Sequence, residues 1–156
     1  CGFGRLGYPY YWAFQHNTGS LDEFVPDIIT LGKSIGNGFP LATAITTRDI
    51  LVRFKENNNN QEYFNTFGGN PVATLVGLNV LNIIEQNDYL KHVQVVGDYF
   101  IDLLMKLKKK VNLNGNSNVY IGDIRGKGLF IGIELVKDLV SKEPGEHETE
   151  LVVNKL

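Results

Sequence analysis

Lys33 is the residue whose setting most clearly invites chemistry. An apolar run, Ile28 to Leu31, ends at Gly32, and Lys33 follows at once. Then comes the glycine-rich stretch Ser34-Ile35-Gly36-Asn37-Gly38, closed by Phe39-Pro40. The run predicts a short buried strand that stops abruptly and delivers one amine into a tight loop. Desolvation disfavours the ammonium form, and a free amine can attack a carbonyl to give a Schiff base. The spacing alone leaves two readings: a nucleophilic lysine, or an ordinary solvated charge at a strand end.

A second dense motif is Tyr63 to Pro71, YFNTFGGNP. It joins a hydroxyl, Thr66, to Gly68, Gly69 and a helix start, with Asn70 as N-cap and Pro71 as first helical residue. Backbone N–H groups and a hydroxyl at such a place can hold a phosphate. The plainer reading is a glycine turn with an ordinary cap. Arg5, between glycines, suits either a carboxylate anchor or a surface ion pair. His16, His92 and His147 lie far apart, with no cysteine or carboxylate at ligand spacing, so a metal site has no support. The single cysteine, Cys1, excludes an internal disulfide and fits a reducing compartment.

At 156 residues the chain suffices for one domain or for pieces of two. Hydrophobic residues make up 43%, charged residues 21%, and the net charge is −2. That is a globular profile, without the basic surface of a nucleic-acid binder. No apolar stretch reaches the length of a membrane span. The basic cluster Lys106, Lys108, Lys109 and Lys110 closes a helical pattern, where cations complement the helix dipole.

The elements that must position these residues follow in order. Residues 1 to 24 form a glycine- and aromatic-rich loop whose rings line either a site or a core. Leu41 to Thr47 reads as a second strand, and Arg48 to Lys55 as a short helix capped by Thr47. Asn57 to Asn60 is a solvated, low-complexity loop. The helix from Pro71 runs to about Gln86 and is apolar well beyond one stripe, which predicts a largely buried helix. Leu90 to Lys110 is a second long helix, and residues 112 to 118 form a loop. Leu129 to Val136 alternates as a strand, after a bend at Gly126 and Gly128 that holds Arg125. Pro144 opens a turn, and a last helix starts at Glu148. The order predicts α/β layers.

Four stretches in register, GFGRLG at 2 to 7, VPDIITLGKSIGNGFPLA at 25 to 42, YFNTFGGNP at 63 to 71 and GDIRGKGLFIGIEL at 122 to 135, resemble class III aminotransferases. These are pyridoxal-phosphate enzymes of fold type I, and the resemblance covers nearly the whole chain. The branch it most resembles contains alanine–glyoxylate aminotransferase 2 and the ethanolamine-phosphate and phosphohydroxylysine phospho-lyases. Stretches such as FVPDI, GDIRGKGLFIGIELVKD and SKEP look most like those of the phospho-lyases.

The resemblance implies a three-layer α/β fold. Residues 1–88 would be the second half of the large, cofactor-binding domain, and residues 89–156 a linking helix and the start of the small C-terminal domain. It implies pyridoxal 5'-phosphate as cofactor, held through a Schiff base on Lys33, which would also shuttle a proton. Thr66 would reach the cofactor phosphate of the neighbouring subunit, in a homodimer or homotetramer with active sites at the interface. The substrate would be an amine or amino acid, with neither nucleic acid nor membrane as partner. Arg125 would be structural.

The implied reaction is amino transfer between an amino donor and a keto acid. The alternatives are phosphate and ammonia release from phosphoethanolamine or phosphohydroxylysine, and a truncated, non-catalytic homologue. In the family an Asp-Glu-Val-Gln motif precedes the position of Cys1, and its aspartate pairs with the pyridine nitrogen. That motif, the glycine-serine phosphate segment and the C-terminal domain with its carboxylate-binding arginine are not among these residues. The opening CGFGRLG, without an initiator methionine, and the closing ELVVNKL predict an internal fragment, inactive by itself. The compartment, mitochondrial or cytoplasmic, is not set by it.

Overall fold

The computed structural model describes residues 2–18, 24–59, 63–114 and 119–156. Cys1, Asn60 and residues 115–118 of the expected asparagine loop lie outside the described residues. The elements in order are α1 (Ala13–Thr18), β1 (Ile28–Leu31), a 3-10 turn (Lys33–Ile35), β2 (Thr43–Thr46), α2 (Arg48–Asn57), α3 (Pro71–Gln86), α4 (Tyr89–Leu113), β3 (Tyr120–Lys127), β4 (Phe130–Val136) and α5 (Glu146–Val153). The chain divides into two compact units, residues 1–4 with 10–90, and residues 5–9 with 91–156.

In the first unit β1 and β2 pair antiparallel, with Ile28 opposite Thr46 and Leu31 opposite Thr43. The buried centre is Phe3, Leu31 and Ile35, with Tyr11, Trp12, Ile29, Leu41, Leu81 and Ile84 packed against it. Phe3 meets Tyr11 and Trp12 in tilted ring contacts at 5.7 and 5.5 Å. Gly77 lets α3 approach the lysine turn: a Cβ there would stand 2.7 Å from Leu41 Cδ2. Only one side of β1 is covered, however. Leu31 is buried while Ile28 and Thr30 are exposed. The expected burial of α3 also fails among the described residues, with Val72, Leu75, Leu78 and Ile83 exposed. No described residue of the first unit covers that face.

Local caps mark where α2 and α3 begin. Thr47 Oγ1 accepts from the Ile50 amide at 3.4 Å, as its position predicts. Asn70 Oδ1 accepts from Val72 and Ala73 at 2.9 and 3.2 Å, and Pro71 needs no amide partner in the first turn. Short α1, within the segment read as a loop, is an addition to the sequence reading.

In the second unit β3 and β4 form a hairpin, with Lys127 opposite Phe130. The tight connection needs Gly128, at φ 58, where a side chain would be strained. Strand β3 was not legible as a strand. Its register slips between Ile121 and Asp123, which breaks the alternation that marks a strand. Asn112 holds the start of β3 by accepting from the Ile121 amide and donating to its carbonyl, both at 3.0 Å. Lys108 Nζ donates to the Gly122 carbonyl at 2.8 Å. Helix α5 runs from Glu146, two residues before the expected start, and ends with Asn154 as its C-cap.

Candidate functional site

Strand β1 ends at Leu31, and Gly32 passes the chain into the 3-10 turn that begins with Lys33. Ile35, two residues on, is buried beside Leu31 and Phe3 and anchors the turn. Lys33 has φ 52, a left-handed conformation uncommon outside glycine. Its carbonyl accepts from the Gly36 and Asn37 amides at 3.2 and 3.0 Å. Ser34 Oγ donates to the Gly32 carbonyl at 3.3 Å. Lys33 itself is exposed. The expected desolvation of its amine is therefore not provided by the described residues.

Thr66 opens the turn Thr66–Gly69, which leads into α3. The Gly68 amide donates to the Asn65 carbonyl at 3.1 Å, and the Asn70 amide to the Phe67 carbonyl at 3.3 Å. Gly69 sits at φ 69. Thr66 is exposed, and so are the flanking aromatics Tyr63, Phe64 and Phe67, at 77%, 86% and 80%. The three rings form an exposed apolar patch beside the Thr66 hydroxyl.

The Thr66 loop and the segment after the lysine turn face each other across an open cavity of about 560 Å³. Leu41, Thr43, Asn65, Gly68 and Asn70 line it; Lys33 and Thr66 do not. The structure thus brings the two motifs' flanks together, but does not bring the amine and the hydroxyl into one cavity. Thr43 was missed by the sequence reading. Its Oγ1 is buried without a hydrogen-bond partner among the described residues. The polar positions of LATAITT were the available signal.

Arg125 and Arg5, the other arginines the sequence singled out, both lie in the second unit. Arg125 donates to Asp123 Oδ2 at 2.9 Å and lies 3.8 Å from Glu134 Oε2. The hydrogen bond from Arg125 holds the Asp123 carboxyl below its usual range. The Arg5 carbonyl accepts from Leu129 at 2.9 Å, tying the N-terminal segment to the hairpin. Among the described residues no group of histidine, cysteine, aspartate and glutamate could hold a metal ion, and no helix is long and apolar enough to cross a membrane.

The fold is shared with aminotransferases of known structure. A Bacillus anthracis aminotransferase matches with a TM-score of 0.74 at 37% identity, over 99% of this chain and 32% of that one. The taurine:2-oxoglutarate aminotransferase of Bifidobacterium kashiwanohense, determined with PLP and glutamate, matches with a TM-score of 0.73 over 92% of this chain and 29% of that one. At 24% identity that likeness is one of fold alone. The chain is therefore an α/β piece of fold type I.

The aminotransferase class-III family model matches residues 1–154, and the chain belongs to that family. It is 41% identical to the protein of Arabidopsis thaliana named alanine–glyoxylate aminotransferase 2 homolog 2, mitochondrial, over 99% of this chain and 29% of that protein. It is 42% identical to human alanine–glyoxylate aminotransferase 2, mitochondrial, over 92% of this chain and 25% of that protein. The chain thus spans less than a third of the length of these relatives.

Proposed function

We propose that the protein carrying these residues is a pyridoxal-phosphate-dependent transaminase. It would move an amino group between an amine or amino acid and a keto acid. The observation that carries this reading is the placement of Lys33: a single amine, at the end of β1, in a turn whose backbone is held on both sides. Family membership and the names of the relatives support amino transfer over phosphate elimination.

The donor set fits the cofactor. An amine suits its aldehyde, and the hydroxyl and glycine backbone of Thr66–Gly69 suit its phosphate. Lys33 Nζ would hold the cofactor, and Thr66 Oγ1 would donate to a phosphate oxygen in the neighbouring subunit. When bound, pyridoxal phosphate supplies an electron sink for the pair left as the substrate α-carbon loses its proton. Lys33 Nζ, freed by the incoming amine, would take that proton and return it. The bare rings Tyr63, Phe64 and Phe67 would exclude water once the second subunit covers them. In this reading residues 1–88 belong to the large domain and residues 89–156 open the small one. The relatives' names make the mitochondrion the compartment to examine first.

Borohydride reduction of the full-length protein with its cofactor, followed by peptide mapping, should place the label on Lys33. A label on another lysine would sink the assignment. Ammonia and inorganic phosphate released from phosphoethanolamine without an amino acceptor would replace transamination by elimination. The cross-subunit role of Thr66 has its own test. Lys33→Ala and Thr66→Ala homodimers, mixed and allowed to exchange subunits, should regain about a quarter of the active sites, because each mixed dimer contains one intact pair. No recovery despite proven exchange would place Thr66 in its own subunit's site.

A further inference from the structure

Resting on the reading of Lys33 as the cofactor-holding lysine, we propose that the Gly32–Phe39 turn is a positioning device. It holds Lys33 in a left-handed backbone conformation that sets the direction of its amine. Gly36 and Asn37 act as positioning residues.

Lys33, with φ 52, occupies a region that a lysine rarely adopts, and Asn37, with φ 44, repeats the feature four residues on. Such conformations persist where the surroundings over-determine them. Here they do. The Gly36 and Asn37 amides both close on the Lys33 carbonyl, and the Asn37 amide also reaches the Ser34 carbonyl at 3.3 Å. The Phe39 amide donates to the Gly36 carbonyl at 3.0 Å. Beneath the turn Ile35 is buried, and α3 passes close at Gly77.

Gly36 makes the turn's tightness possible. Its own φ is −94, which any residue adopts, so backbone freedom is not the reason for glycine here. Space is: a Cβ at residue 36 would run into the Phe39 carbonyl. Backbone conformation at residue 33 sets where its Cα–Cβ bond points, as the alternation of a strand illustrates. Relaxing Lys33 to an extended conformation would redirect the amine while leaving β1 and α3 in place. A displacement of the amine by an ångström is enough to slow its reaction strongly.

The test uses the full-length apoprotein. Capture of pyridoxal phosphate is followed by visible absorbance and assigned to Lys33 by borohydride reduction and mapping, with the apoprotein melting temperature measured alongside. Gly36→Ala should slow capture at Lys33 by about tenfold or more. Asn37→Ala, milder and on an exposed residue, should also slow it, whereas Asn37→Gly should keep the original rate, because glycine accepts a left-handed backbone. The Asn37 pair decides the matter if Gly36→Ala does not fold. Without cofactor, Lys33→Gly should melt above Lys33→Ala.

Unchanged capture in Asn37→Ala, equal slowing in Asn37→Gly, or Lys33→Ala melting at or above Lys33→Gly would each overturn the proposal. Failure of the unsubstituted protein to be labelled at Lys33 would overturn the cofactor reading itself, a result distinct from these.

Discussion

Lys33 and Thr66 carry the proposed chemistry, yet both are exposed in this chain. A lysine that must react as a free amine needs a dry, crowded setting at the moment of reaction. The described residues supply its direction rather than its desolvation. Tyr11 shows the opposite case. Burial first, then the nearby Glu85 carboxylate and its hydrogen bond, push the Tyr11 hydroxyl above its usual range. A folded-state value above the unfolded one means stability that is complete below the unfolded value. It is lost as pH rises through the folded one. Melting temperature of the full-length protein should therefore fall as pH rises past about 10, and Tyr11→Phe should make that fall shallower. An identical alkaline slope in both proteins would remove Tyr11 as a contributor.

At the scale of elements, caps and glycine contacts make separate predictions. Asn70→Ala removes the side-chain acceptor for Val72 and Ala73 and should destabilise α3 by about 1 kcal/mol. Faster amide exchange at those two residues would report it, and unchanged exchange would count against the cap. Gly97 of α4 lies against the β3–β4 connection, and a Cβ there would strike the Gly128 backbone. Gly97→Ala should cost about 1–3 kcal/mol in a denaturant melt, because backbone cannot move aside as a side-chain tip can. Helices α2 and α3 were legible because capping is local: Thr47 and Asn70 act within three residues of themselves. Strand β3 was not, because the slip at Gly122 lies in its pairing with β4, which the period of its own side chains does not show.

At the scale of the whole molecule, the informative feature is what stays uncovered. Val72, Leu75 and Leu78 of α3, and Val95, Tyr99 and Phe100 of α4, are large, apolar and exposed. Side chains of this kind stabilise a fold only when removed from water. The 156-residue chain expressed alone should bind a hydrophobic dye strongly, melt without a cooperative transition and develop no cofactor absorbance. A sharp melt together with cofactor absorbance would show that these surfaces need no further cover.

The sequence by itself determined most helices and strands in their order, the caps of α2 and α3, and the motifs that identify the family. All of these depend on neighbours a few residues apart or on residue types in register. Only the tertiary structure decided that Lys33 and Asn37 are left-handed, that Gly36 is glycine for want of space under the Phe39 carbonyl, and that Thr43 buries a hydroxyl with no hydrogen-bond partner among the described residues. These rest on backbone closure and on segments that meet across the fold, and residue spacing carries no record of either.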